Sequence, residues 1–194
     1  HPAHIMDLPW VDGGCSTERG FSEGSQPMGI FRPVSLLIKN EVSITPFGEH
    51  YWNDETVDHK KAVVHQVVEV SNKSQVNKDL ELITEVLDHK GKLIVRSTSK
   101  DQIKGNAIKE IRLKDLVFSN PQLWSVTSPY LYRIKITLKI GRQIIDEIET
   151  PYGIRAVRWS KGLKPSGDPR LLVNGAPVFI NGIAEYEHKF GQSH

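Results

Sequence analysis

Eight histidines, one cysteine and 23 carboxylates are the side chains that could do chemistry in this chain. A zinc site needs three or four of them brought together, commonly signalled by His-x-x-x-His or His-Glu-x-x-His on one helix face. His1, His4, His50, His59, His65, His89, His188 and His194 show neither spacing, so no metal site is expected. Cys15 stands alone, which excludes an intrachain disulfide and a cysteine-rich metal site. It lies in a Gly/Ser-rich stretch with no paired histidine nearby, so it reads as an incidental loop thiol rather than a nucleophile. Among the acids, Glu69, Glu81, Glu85 and Glu147 fall on alternating, strand-like segments. Carboxylates are seldom buried, so these are expected to face solvent. No motif requires a cofactor.

The chain that must position these groups has 194 residues, 38% of them hydrophobic and 25% charged, enough for a packed core without covalent staples. Its formal net charge is +2, and Lys60-Lys61 is the only adjacent basic pair, so no nucleic-acid or membrane surface is expected. No apolar run approaches the roughly 20 residues that span a bilayer. The opening "HPAHIMDLPW" has no initiating Met and neither the basic start nor the apolar stretch of a signal peptide; it reads as the interior of a longer chain.

Strong helical periodicity is absent, whereas alternation with period two recurs. Residues 1–30 are rich in Gly, Ser, Pro and acids and read as loop. Val34, Leu36 and Ile38 then alternate as a strand, followed by Val42 and Ile44, with Pro46 expected to end that run. "KAVVHQVVEVSNKS" predicts a strand closing in a turn. "DLELITEVLDHKGKLIVRSTS" predicts two strands joined at Asp88-His89-Lys90-Gly91, where Gly91 can take a positive φ. Ile108, Ile111 and Leu113 suggest another strand, and Ile134, Ile136, Leu138 and Ile140 a clear one, turning at Gly141-Arg142 and returning through Ile144, Ile145 and Ile148. This pattern predicts an all-β fold, an immunoglobulin-like antiparallel β-sandwich without the Cys-Trp-Cys signature. Residues 160–170, "SKGLKPSGDPR", form a connector, after which "LLVNGAPVFING" reads as a hairpin turning at Asn174-Gly175. Such a hairpin is not stable alone and must pack on the sandwich or on something beyond this chain.

Four stretches carry a resemblance to glycoside hydrolase family 2, the β-galactosidases, β-glucuronidases and β-mannosidases. "NPQLWSVTSPYLYRIKITL" (120–138) resembles the family's Asn-Pro-x-Leu-Trp and Pro-Tyr-Leu-Tyr segment, with Trp124, Tyr130 and Tyr132 as its aromatic members. "GIFRPVSLL" (29–37), with Arg32, is similar to the close of the N-terminal jelly roll. "YGIRAVRWS" (152–160), with Arg155, is similar to the strand leaving the Ig-like domain. "LLVNGAPVFINGIAEYEH" (171–188) is similar to the hairpin opening the catalytic (β/α)8 barrel. The four occur in the family's order.

The resemblance implies residues 1–40 as the end of a jelly-roll sugar-binding domain, 41–159 as the Ig-like sandwich, and 160–194 as linker and opening hairpin of the barrel. It also implies that both catalytic glutamates lie downstream, so that no catalytic residue is expected here. Retaining glycosidases need two carboxylates about 5–5.5 Å apart. Tyr186, Glu187 and His188 match a segment bordering the sugar pocket and are candidate substrate-side residues, with packing inside the barrel as the alternative. At 185 and 186, Glu and Tyr stand where many β-galactosidases have Arg and His. Trp124 is expected as a buried apolar plug at the sandwich edge. The implied parent is a β-galactosidase-like enzyme, periplasmic or secreted, in which this chain is a spacer. Its partners would be the parent's other domains and, through them, a β-glycoside. The rival reading is a free-standing carbohydrate-binding or adhesion module, which would carry aromatics along one strand face.

Overall fold

In the computed structural model, residues 33–54, 56–160 and 170–182 are described. They divide between two compact units, and the unit of residues 38–179 carries every strand found among the described residues. Eight strands build the sandwich: β1 (Val42–Asn53), β2 (Lys61–Asn72), β3 (Lys78–Leu87), β4 (Leu93–Ile103), β5 (Ala107–Arg112), β6 (Leu116–Ser119), β7 (Tyr132–Ile140) and β8 (Gln143–Tyr152). Three short ones follow: β9 (Val157–Trp159), β10 (Leu171–Val173) and β11 (Ala176–Val178).

One sheet runs β1-β2-β5, with β6 also pairing β2. The other runs β4-β3-β7-β8, and every pairing is antiparallel. Period-two alternation explains the packing. On β2, Ala62, Val64, Gln66, Val68 and Val70 are buried while the residues between them are partly exposed. Leu80, Leu82, Thr84 and Val86 do the same on β3, and on β7 Ile134, Ile136 and Leu138 are buried, with Thr137 also covered. These inner faces form two apolar clusters. One holds Ile44, Val68, Val70, Leu82, Ile103 and Leu138; the other holds Val64, Val86, Leu116, Phe118, Tyr132 and Ile134.

The expected hairpin corners are present. Gly91 has φ 81°, and the Asn174-Gly175 turn has φ 51° and 81°, the positive pair of a type I′ hairpin. The β10–β11 hairpin gains a third strand from β9, so it is not left as an isolated pair.

Two expectations are corrected. Val34, Leu36 and Ile38 form no strand and are 77%, 86% and 82% exposed. Alternation gives a segment the capacity to join a sheet, but this one meets no partner edge among the described residues. Pro46 does not end its run. β1 continues to Asn53 across a register shift between Ile44 and Glu49, where an out-of-ladder position tolerates the missing N–H. Phe47, in that bulge, has φ 59° and is fully exposed. The strand expected around Ile108 and Ile111 is present as β5; Ile108 points outward, while Ile111, and Leu113 just past its end, are buried.

Candidate functional site

The motif residues that fall within the described part converge on one end of the sandwich, where β6 crosses to β7 and β8 leaves for β9. Tyr132 opens β7 and is buried, its ring 5.3 Å from Phe118 and 5.0 Å from Tyr130. Its hydroxyl accepts a hydrogen bond from the Gln122 backbone N–H at 2.9 Å. That is the geometry of a tyrosine corner, in which a residue at the start of a strand ties the preceding crossover to the sheet. Tyr130 is half-buried and meets His89 on the β3–β4 turn, ring edge to face at 5.4 Å, with Oη 3.2 Å from Nδ1.

Trp124 lies on the same crossover. Its backbone N–H donates to the Ile154 carbonyl at 2.8 Å, which stitches the crossover to the segment after β8. The side chain is only half-buried, so it is not the fully enclosed plug expected from sequence. Instead it is held between chain segments. The Arg155 guanidinium sits 4.9 Å from the ring centroid, a cation–π distance, and also donates to the Gly153 carbonyl at 3.0 Å. Gly153 is buried, and a Cβ there would come within 3.0 Å of Trp124 Cβ, Cγ and Cδ1. A substituent would meet the root of the indole, which cannot swing aside. Gly153→Ala is therefore expected to cost about 1–2 kcal/mol by overpacking, read as a shift in the denaturant midpoint. An unchanged midpoint would mean that the crossover yields freely.

Asn174 joins the β10–β11 turn to this corner. Its amide Nδ2 donates to the Trp124 carbonyl at 2.9 Å, its Oδ1 accepts from the Ala156 N–H at 3.0 Å, and its own N–H donates to the Ala156 carbonyl at 2.8 Å. Sequence marks Asn174 as a turn residue, since Asn tolerates positive φ. This second task, latching the turn onto the sandwich, has no local sequence signal. Gly153 likewise carries none until Trp124 is seen above it.

Beside the corner runs a cleft of about 290 Å³, bordered by Trp52, Asn53, Asp54, Tyr152, Arg155 and Val157. Asn53 closes its floor, donating to the Arg155 carbonyl at 2.9 Å and accepting from Tyr152 Oη at 2.9 Å. Burial pushes the Tyr152 phenol up to about 12, so it stays a donor at neutral pH.

The strand-borne acids sit on outer faces in ion pairs or hydrogen bonds. Glu69 accepts from Thr45 Oγ1 at 2.7 Å, Glu81 pairs with Lys139 and Glu85 with Arg96. Glu147 pairs with Lys135 at 2.8 Å, and that bond lowers its pKa below the usual carboxylate range. Arg32, Tyr186, Glu187 and His188 lie outside the described residues, as does Cys15.

Two antiparallel sheets closed at one end by a tyrosine corner define an immunoglobulin-like sandwich domain. Residues 49–155 match the sequence pattern of the family described as Glycosyl hydrolases family 2, and the chain belongs to that family. A β-glucuronidase of Formosa agariphila is 28% identical over 79% of this chain, which spans 16% of that relative. A β-galactosidase of Psychromonas ingrahamii is 31% identical over 98% of this chain, again with only 18% of the relative spanned. The crystal structure of a family 2 member from Bacteroides cellulosilyticus shares the fold, with a TM-score of 0.64 and 24% identity over 72% of this chain and 17% of that one. The chain thus spans less than a fifth of the length of these relatives.

Proposed function

We propose that this chain is the non-catalytic Ig-like spacer of a larger, retaining β-glycosidase. In this reading residues 1–40 end a jelly-roll sugar-binding domain, 41–159 are the spacer, and 160–194 lead into the catalytic barrel. The observation that carries it is the Asn174 latch. Three hydrogen bonds fix the opening hairpin to the Trp124–Ala156 corner, so whatever follows the hairpin starts from a defined position on the sandwich. The unpaired alternation of Val34, Leu36 and Ile38 also supports it, since such a segment suits a sheet edge in a neighbouring domain.

The parent's substrate is a β-galactoside or a β-glucuronide, the two chemistries named among its relatives. Tyr186, Glu187 and His188 are its proposed substrate-side residues on this chain, and a periplasmic or secreted location suits a polysaccharide-degrading parent. The test is hydrolysis of nitrophenyl β-galactoside and nitrophenyl β-glucuronide by this chain and by the full-length parent. The chain is expected to be inactive and the parent active on one of the two. Turnover by the chain alone would overturn the spacer reading, and a parent inactive on both would overturn the substrate class.

A further inference from the structure

On the outer face of the first sheet a second cluster remains that the spacer reading does not use. His65, on β2, stands directly across from Trp52 on β1, with the rings 5.4 Å apart. Its Nδ1 is 2.9 Å from Asp115 Oδ1, in the link between β5 and β6, and its Nε2 is 3.4 Å from Asp54 Oδ1, just past the end of β1. The imidazole is mostly covered, with 15% of its side-chain surface exposed. Facing it, β1 contributes Trp52 and His50, the residue after it contributes Asp54, and β5 with its link contributes Arg112 and Asp115. His50 lies 5.6 Å from the Trp52 ring, and the Arg112 guanidinium lies 5.9 Å from it.

From this geometry we propose that His65 is a pH-operated clamp that holds Asp54 when doubly protonated and lets it go when neutral. The imidazolium has two N–H donors and can serve both carboxylates at once. Neutral imidazole keeps one proton, and the shorter contact decides where: it stays on Nδ1, bonded to Asp115. The Nε2 lone pair then faces a carboxylate oxygen of Asp54, so attraction becomes repulsion at that arm alone. Asp54 borders both the cleft beside the corner and a neighbouring one of about 270 Å³ lined by Thr56, Val57, Asp58 and Lys61. Releasing it changes the charge and shape at the edge of both.

The sign follows from the surroundings. The hydrogen bond to Asp115 and the two carboxylates raise the His65 pKa above its ordinary value, against a smaller opposing effect of burial. A raised folded-state pKa means that the clamp's contribution is complete below the ordinary histidine value of about 6.5 and fades as pH rises through the higher folded value.

The test is an NMR titration of the full chain from pH 5 to 9, following the His65 ring and the Asp54 and Val57 amides. The His50→Gln/His59→Gln variant serves as background, so that only one nearby ring titrates. The expected result is that the Asp54 and Val57 amides shift with the same midpoint as His65, at a pH above about 6.5. His65→Gln should abolish that shift, and Asp54→Asn should lower the His65 midpoint while the ring still titrates. Amides that do not follow His65, a midpoint at or below the ordinary value, or an Asp54→Asn variant with the midpoint unmoved would each overturn the clamp. The fold itself is monitored by the amides of Val68 and Leu82, so loss of structure is separable from loss of the clamp.

Discussion

Replacing Gln66 by alanine is expected to cost the sandwich about 3–5 kcal/mol, more than removing many of its aliphatic neighbours. Gln66 is 0% exposed and lies between Val64 and Val68 on the inner face of β2. Across from it Thr84 lies between Leu82 and Val86 on β3, and is 1% exposed. The two polar residues occupy the layer between the two apolar clusters. Thr84 Oγ1 donates to Gln66 Oε1 at 3.0 Å, and Gln66 Nε2 donates to the Lys114 carbonyl and to Ser97 Oγ. Truncation would open a cavity, strand the buried Thr84 hydroxyl and take away the partner of the part-buried Lys114 carbonyl. Each stranded group costs about 1–3 kcal/mol. Gln66→Leu keeps the volume and strands the same groups, so it should recover only the cavity share. Equilibrium denaturation of both variants checks this: a loss below about 1 kcal/mol for alanine would mean that water enters and satisfies the layer.

A one-residue slip of β2 against its neighbours would turn Gln66 outward and His65 inward, so the polar pair penalises the wrong register as well as stabilising the right one. Gln66 was legible in principle. In "AVVHQVVEV" the inward parity is set by Ala62, Val64, Val68 and Val70, and Gln66 shares it. A polar residue on the apolar parity is a signal for a buried network, though its partners, one strand and one link away, are not.

Other features divide along the same line. Strand positions, the Gly91 corner and the Asn174-Gly175 turn follow from alternation and backbone preference, which are local. The alternation of Val34, Leu36 and Ile38 looks identical in sequence to that of a paired strand, because what separates them is the presence of a partner edge. Pro46 reads as a stop since a bulge is visible only once β2 fixes the register. For Trp124 the residue type pointed to burial, and the structure shows an indole shared between an arginine and a glycine from elsewhere in the chain. Motif order carried the family resemblance to residues that no local physical signal marks. Arg155 is one, and its role as the cation over Trp124 depends on the fold.

Tyr132→Ala should rank with Gln66→Ala, at about 3–5 kcal/mol, and should have a distinctive local effect. The ring is 4% exposed and packs with Phe118 and Tyr130 in the cluster nearest the corner. Alanine would remove that packing and free the Gln122 N–H together. Tyr132→Phe separates the two, because it keeps the ring and loses only the 2.9 Å bond, for an expected cost of about 1 kcal/mol. The two variants should therefore differ several-fold in global cost. Yet both should speed hydrogen exchange at the Gln122 amide, which donates that bond. The crossover also presents the Trp124 carbonyl to Asn174, so a loosened corner should raise exchange at the Ala156 amide, the latch's other donor. If Tyr132→Phe accelerates Gln122 and leaves Ala156 unchanged, the latch stands independently of the tyrosine corner. If both accelerate, the corner and the β10–β11 hairpin form one cooperative unit, as the proposed spacer role requires.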